Sequence, residues 1–346
     1  MPKSIFIFNP DTDYALAQGC SHYNAPAKII ALRKQMQLTP VYIAEKGDII
    51  VVVDDFSSEA YPDKNAVHRL ESAGIEVATL TELQNLLKNV SHHEFRILPW
   101  GWNHSLRSRL EAFSIDSTLL KTKEEIDMIR SLAHRRTTIP FLLFIRKMLP
   151  AVSVAVAEEF TEVDKALEFA QREKRVYFKA PWSSSGRGIL YYDASLYEDK
   201  RIATQKLKEW LGGFIRKQGS VMGERAFNRV ADFATEWWIE DGKAEFLGLS
   251  LFNTSEEGRY TGNMQLSQTE IDSRLQSLSP HWSPDIVAAQ KAALESLIAP
   301  HYSGPAGIDM LIDADGTLNP CVEINLRLTM GMIALGKPLP CKKPLS

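Results

Sequence analysis

Residues 307–327 constrain the fold of this chain more than any other segment. Two runs of alternating apolar and polar residues flank Ala314-Asp315-Gly316, a sequence typical of a three-residue hairpin loop with glycine in the left-handed conformation. Counting outward from that loop along both strands places Asp309 opposite Cys321. The segment therefore predicts two paired antiparallel strands of a sheet.

This register predicts that four side chains share one face of the hairpin: Asp309, Cys321, Glu323 and Asn325. Glu323 is then diagonal to Asp309, with Cβ atoms about 7 Å apart, so both carboxylates can hold one or two metal ions. Asn325 adds a neutral oxygen, and a ligand set made only of oxygen suits Mg²⁺. A hairpin with one solvent-facing polar side explains the same acids without a metal. Pro320, which lacks an N–H, favours an edge position.

A second hairpin is predicted over residues 175–190, around the small polar loop 183–188. Backbone N–H groups of such a loop can approach phosphate oxygens closely, and Lys179 at the end of the first strand supplies a positive charge. The loop is not a Walker A motif, which has a lysine and a hydroxyl residue after its last glycine. Taken alone, the segment is equally well interpreted as a solvated turn.

Short apolar runs in the N-terminal part of the chain predict the strands of a covered α/β sheet. They lie at residues 5–8, 41–44, 49–53 and 95–98. Helices are predicted at 123–133, at 162–172 and after Ser283, with Pro284 in the first turn. The loop 9–13 either places acidic groups at the end of the first strand, where such sheets bind ligands, or forms a capped turn before a helix.

Composition and charge limit the function classes. The chain has 346 residues, which predicts two or three packed units, and the only plausible boundary lies at about residues 115–150. A net charge of -3 with interspersed signs gives no electrostatic footprint for a nucleic acid or an anionic membrane. Cys20, Cys321 and Cys341 form no disulfide or zinc pattern and fit a reducing cytoplasm. The first apolar run is too short for a signal peptide or a membrane span.

The order and spacing of these motifs resemble the ATP-grasp superfamily over about residues 120–335. The matching motifs are Lys179 with the loop 183–188, the segment 221–227, Asp309, and Glu323-Ile324-Asn325-Leu326-Arg327, the most specific of them. The resemblance implies an α/β N-terminal domain of the pre-ATP-grasp kind, followed by a two-subdomain ATP-grasp fold of mixed α/β and α+β class. The implied divisions are 1–120, then 121–220 with the phosphate loop, then 221–346 with the metal-binding hairpin.

The resemblance also implies which residues hold ATP and Mg²⁺. Lys179 and the loop residues Ser184, Ser185, Gly186 and Gly188 would contact the phosphates. Glu224, Arg225 and Phe227 would contact the adenine, and Asp232 would bind the ribose. The metal ions would be held by Asp309, Glu323 and Asn325. Arg135 or Arg136 takes the place of an earlier phosphate-binding lysine, or is only a cation at a helix C-terminus. Lys179 and Arg327 are predicted to take part in catalysis, and Arg327 would stabilise charge on the transferred phosphoryl group.

In such enzymes the γ-phosphate usually passes to a carboxylate, and an amine or thiol then displaces it. The resemblance thus implies a Mg²⁺-dependent ligase acting on a small carboxylate and an amine. The alternatives are direct phosphoryl transfer to a small molecule and nucleotide binding without turnover, and the metal-binding residues count against the last. Ligases of the D-alanine:D-alanine type carry an arginine just before the first metal acid, where this chain has Ala306 and Gly307. Arg327 or Arg259 would have to take the place of that arginine.

Overall fold

The computed structural model describes residues 2–52, 62–88, 91–152, 155–183, 188–196, 200–255 and 260–340, without the side chains of residues 92 and 200–203. Within these residues the chain forms three β-sheets, each accompanied by helices. None of the described helices is long and apolar enough to cross a membrane.

The N-terminal sheet consists of β1 (Lys3–Ile7), β2 (Ile49–Val51), β3 (Glu76–Ala78) and β4 (Phe95–Pro99). Its strands are parallel and lie in the order β3-β2-β1-β4. Ile5 and Phe6 point to opposite faces and are both buried, as expected for a sheet covered on both sides. The helices up to residue 148 are α1 (Thr12–Gln18), α2 (Ala27–Met36), α3 (Lys64–Ser72), α4 (Leu80–Leu87), α5 (His104–Ala112), α6 (Lys123–Leu132) and α7 (Thr138–Met148).

One predicted strand of this sheet is wrong. Residues 41–44 do not pair in a sheet, because Thr39–Tyr42 forms a 3-10 helix in which the N–H groups of Val41 and Ile43 donate to the carbonyls of Leu38 and Pro40. The fixed φ angle of Pro40 suits the first turn of a helix, and its missing N–H does not suit a ladder. The short strand β3 was missed and completes the sheet instead.

The second sheet consists of β5 (Glu158–Phe160), β6 (Arg175–Lys179), β7 (Ile189–Asp193) and β8 (Val221–Arg225). Its strands are antiparallel, in the order β5-β8-β6-β7, so the predicted hairpin of β6 and β7 is present. Helices α8 (Val163–Glu173) and α9 (Lys200–Gln218) accompany it. Phe178 packs edge-on against Phe160 and Phe169 in its core, which holds β6 against α8.

The third sheet consists of β9 (Arg229–Glu240), β10 (Lys243–Thr254), β11 (Tyr260–Asn263), β12 (Gly304–Asp313) and β13 (Leu318–Asn325), all antiparallel, in the order β11-β10-β9-β12-β13. The remaining helices are α10 (Gln268–Leu278), α11 (Pro284–Leu297) and α12 (Met330–Leu335). Helix α11 begins after Ser283 with Pro284 in its first turn, as predicted. One face of this sheet packs against α7 and α11, and the other face carries both α12, over part of β9 and β10, and the candidate site.

The register of β12 and β13 differs from the predicted one beyond the first pairs. Near the loop the prediction is correct, because Ile312 is opposite Leu318 and Gly316 has a φ of +83°. Farther along, Asp309 is opposite Glu323 instead of Cys321, because residues 320–322 together oppose Met310 in a bulge. A bulge is where a strand tolerates proline, and it contains Pro320. The two carboxylates are therefore direct neighbours rather than diagonal ones.

Candidate functional site

A cavity lies between the second and third sheets and collects most of the residues that the sequence singled out. The predicted residues that line it are Arg135, Lys179, Glu224, Arg225, Phe227, Asp232, Asp309 and Glu323. They come from segments as far apart as the turn before α7 and the strand β13, so only the folded chain brings them together. Tyr177, Arg229, Thr254 and Tyr260 also line the cavity and were not predicted.

Lys179 and Glu224 form an ion pair at the wall made by the second sheet. Glu224 is opposite Tyr177 in the β6–β8 ladder, so its side chain and that of Lys179 project from the same face. The Lys179 ammonium donates to Glu224 Oε2 at 2.5 Å, and both side chains are largely buried. The pair thus keeps a cation and an acceptor side by side in the cavity.

The loop between β6 and β7 ends at Gly188, where the backbone conformation requires glycine. Gly188 has a φ of +73°, and a Cβ atom there would lie 3.0 Å from the Cβ atoms of Ala180 and Ser183. The Ala180 N–H donates to the Gly188 carbonyl at 2.7 Å. The predicted phosphate contacts at Ser184, Ser185 and Gly186 lie outside the described residues.

Asp232, the predicted ribose contact, lines the same cavity. It lies on β9, where its carboxylate accepts hydrogen bonds from Thr254 Oγ1 at 2.6 Å and from Arg229 Nη1 at 3.5 Å. Phe227 and Arg225 line the cavity too. The predicted adenine and ribose contacts thus share one cavity, and their roles stay predictions.

The two predicted metal carboxylates are adjacent on the third sheet. Burial, and then the neighbouring charge of Glu323, raise the pKa of the Asp309 carboxyl above its usual range. Such a pair fits a divalent cation, because the cation offsets both the lost hydration and the repulsion. The described residues hold no group of three or more His, Cys, Asp or Glu side chains suited to a metal. The candidate donors are therefore these two carboxylates and the amide of Asn325.

Asn325 presents its amide nitrogen to the carboxylates and its oxygen to an arginine. Asn325 Nδ2 donates to Asp309 Oδ2 at 3.2 Å, and Asn325 Oδ1 accepts from Arg327 Nη2 at 3.0 Å. Binding a metal ion through the amide oxygen would require the side chain to rotate. Its role as a ligand stays a prediction.

The structure distinguishes between Arg135 and Arg136, the two candidates for the place of the earlier phosphate-binding lysine. Arg135 is buried, and its guanidinium donates to Glu323 Oε1 at 2.6 Å and to Ser183 Oγ at 2.7 Å. Arg136 has a half-exposed side chain that lies 3.8 Å from Glu159 and does not line the cavity. Arg135 is therefore the one that reaches the site.

The N-terminal part of the chain reaches the site through Asp13. Arg327 Nε donates to both carboxylate oxygens of Asp13, at 3.0 and 3.2 Å, while Nη2 holds Asn325. Burial raises the pKa of Asp13. Asp11, the residue before α1, makes no side-chain cap and instead pairs with Arg33 at 2.7 Å. Residues 9–12 form a turn that leads into α1, and Asp13 in the first turn of that helix contacts Arg327, so both interpretations of this segment stay open.

Comparison with solved structures identifies the fold. The chain is similar to a biotin carboxylase–β,γ-ATP complex from Campylobacter jejuni, with a TM-score of 0.54 and 13% identity over 98% of this chain and 72% of that one. It is also similar to the biotin carboxylase domain of the Hydrogenobacter thermophilus 2-oxoglutarate carboxylase with MgADP and bicarbonate, with a TM-score of 0.53 and 11% identity over 98% and 71%. No protein-family model matches the sequence, and no curated protein matches it either.

These similarities show that the chain shares the fold of these two structures, which agrees with the fold implied by the resemblance of its motifs to the ATP-grasp superfamily. At such low identity they concern the fold and not the substrate.

Proposed function

We propose that this chain is a Mg²⁺-dependent ATP-grasp ligase that activates a small carboxylate as an acyl phosphate for attack by an amine. The single cavity that joins Lys179, Glu224 and Asp232 to the carboxylates of Asp309 and Glu323 carries the proposal. It offers a cation for phosphates, acceptors for adenine and ribose, and two acids for a metal.

Each part of the cavity has a proposed task. Glu224 accepts from the adenine amino group, Asp232 binds the ribose, and Lys179 neutralises the α and β phosphates. Mg²⁺, held by Asp309 and Glu323, supplies neutralisation of the phosphate oxygens when bound. The fold neighbours that were solved with β,γ-ATP and MgADP support this choice of cofactors.

The proposed reaction has two bond exchanges. An oxygen of the substrate carboxylate bonds to the γ-phosphorus while the bond from that phosphorus to ADP breaks. The amine nitrogen then bonds to the acyl carbon, phosphate leaves, and the amine loses a proton to solvent. Arg327, held by Asp13, stabilises the negative charge of the phosphoryl group in transfer.

The cysteine pattern supports a reducing cytoplasm as the location.

A screen of amino acids and small carboxylates for Mg²⁺-dependent ATP consumption tests this function, with mass spectrometry of the product. We expect ADP, phosphate and a new amide in equal amounts. A phosphorylated acceptor without amide would make the enzyme a kinase, and no turnover with any acceptor would favour a binding protein. Asp309→Asn should lose the activity, whereas the control Glu76→Gln, on the exposed side of β3, should keep it.

A further inference from the structure

Glu236 is a buried acid that lies between the metal carboxylates and Arg327. On one face of the third sheet, the ladder places Ala234, Asp309 and Glu323 in one row, and Glu236, Gly307 and Asn325 in the next. Adjacent rows on one face are about 7 Å apart, since they are separated by two residues along each strand. Glu236 is 1% exposed, and none of the proposed catalytic steps uses it.

Two glycines make room for this carboxyl group. A Cβ atom at Gly331 would lie only 1.8 Å from Glu236 Oε1, and one at Gly307 would lie 3.0 Å from Oε2. Neither glycine has a positive φ, so the backbone itself does not require them. The space is therefore shaped around the Glu236 side chain.

Both oxygens of Glu236 accept hydrogen bonds from hydroxyl groups. Ser250 Oγ on β10 donates to Oε1 at 2.8 Å, and Thr329 Oγ1 donates to Oε2 at 2.7 Å. Thr329 is also the N-cap of α12, since its hydroxyl accepts from the Met332 N–H at 3.1 Å. No ion pair found among the described side chains includes Glu236, and burial raises its pKa to about 7. These contacts are those of a hydrogen-bonding clamp rather than of a charge pair.

The clamp fixes the end of the segment that carries Asn325 and Arg327. That segment leaves β13, donates from the Leu328 N–H to the Trp100 carbonyl at 2.8 Å, and ends at Thr329. Releasing Thr329 would free the chain two residues after Arg327. Outer contacts of this kind orient the groups that bind a metal, and their loss commonly weakens metal binding.

We propose that Glu236 is a positioning residue of the transfer site, which ties β10 to the segment after β13 and thereby holds Asn325 and Arg327 in place. This role rests on the proposed function. The contacts themselves do not, so they can be tested without any nucleotide.

A double-mutant cycle in thermal unfolding tests the contacts. Gly331→Ala should lower the melting temperature by on the order of 5 °C, because the new methyl group displaces the Glu236 carboxyl. In a Glu236→Ala background the same substitution should cost much less, since the carboxyl is gone and the Ser250 hydroxyl, which would lie 2.4 Å from the new methyl group, can rotate away. Additive effects of the two substitutions would overturn the clamp.

Binding of ADP and Mn²⁺, used as a paramagnetic substitute for Mg²⁺, tests the positioning role. Glu236→Ala should weaken Mn²⁺ binding in the ADP complex by about 10- to 100-fold and leave ADP binding without metal unchanged. Glu236→Gln keeps the shape and an acceptor oxygen for Thr329, and its amide N–H can donate to a rotated Ser250 hydroxyl, so it should restore most of the affinity. The control Glu76→Ala removes an exposed acid of β3 and should bind Mn²⁺ normally.

The outcomes separate the two proposals. Normal Mn²⁺ affinity in a folded Glu236→Ala variant would overturn the positioning role, and so would a Glu236→Gln variant as weak as Glu236→Ala. A wild-type protein that binds no ADP would overturn the proposed function itself, and the role of Glu236 with it.

Discussion

The buried carboxyl of Glu236 should make the stability of this protein depend on pH in a defined window. Its pKa is raised from an ordinary value of 4.5 to about 7 in the folded chain, chiefly by burial. Between these two pH values the native state binds more protons than the unfolded state, so the free energy of unfolding falls as the pH rises through the window. The difference between the two pKa values corresponds to about 3 kcal/mol in total.

Urea denaturation at steps from pH 4.5 to pH 8, followed by tryptophan fluorescence, measures this effect, since Trp237 and Trp238 are buried directly after Glu236 on β9. Other acids also titrate, so the informative quantity is the difference between the wild type and Glu236→Gln, which lacks the ionisable group. The wild type should lose about 3 kcal/mol more than the variant across the window. Glu76→Gln, exposed on β3, serves as the control. Equal pH dependence in the wild type and Glu236→Gln would show that Glu236 does not titrate with a raised pKa in the folded protein.

Three substitutions test the site more directly, using the acceptor found in the screen. Glu323→Gln should lower turnover on the order of 10²-fold while ADP binding, measured by calorimetry, changes little, because the charge near the transferring phosphoryl group is lost. Lys179→Met should weaken ATP binding at least about tenfold, whereas Arg136→Met, which alters a half-exposed side chain outside the cavity, should not. Asp13→Asn should lower turnover about tenfold in steady-state assays without weakening ADP binding, since it releases Arg327.

Local patterns were enough to predict the two hairpins, because strand alternation and turn residues act over short distances. The loop at Gly316 and the pairing of β6 with β7 follow from such patterns. The bulge at residues 320–322 was not predicted, although Pro320 signalled an irregular position. The sequence of one strand alone does not indicate how many residues a bulge in its partner strand will contain.

Contacts between distant segments account for most of what the sequence did not reveal in the site. Arg135 and Arg136 are chemically equivalent in the sequence, and only the fold turns one towards Glu323. The pairing of Asp13 with Arg327 joins residues at opposite ends of the chain. Glu236 in an apolar strand gave no signal, since its partners come from β10 and from the segment after β13.

Adenine-nucleotide binding in this cavity underlies every proposed role of its residues, and a thermal shift experiment with Mg²⁺ measures it. ATP or ADP should raise the melting temperature, because a ligand that binds only the folded state stabilises it by mass action. GTP should raise it much less, given adenine recognition at Glu224, and Lys179→Met should reduce the response to ATP. An equal response to ATP and GTP would contradict the adenine contact, and no response to any nucleotide would contradict the whole account.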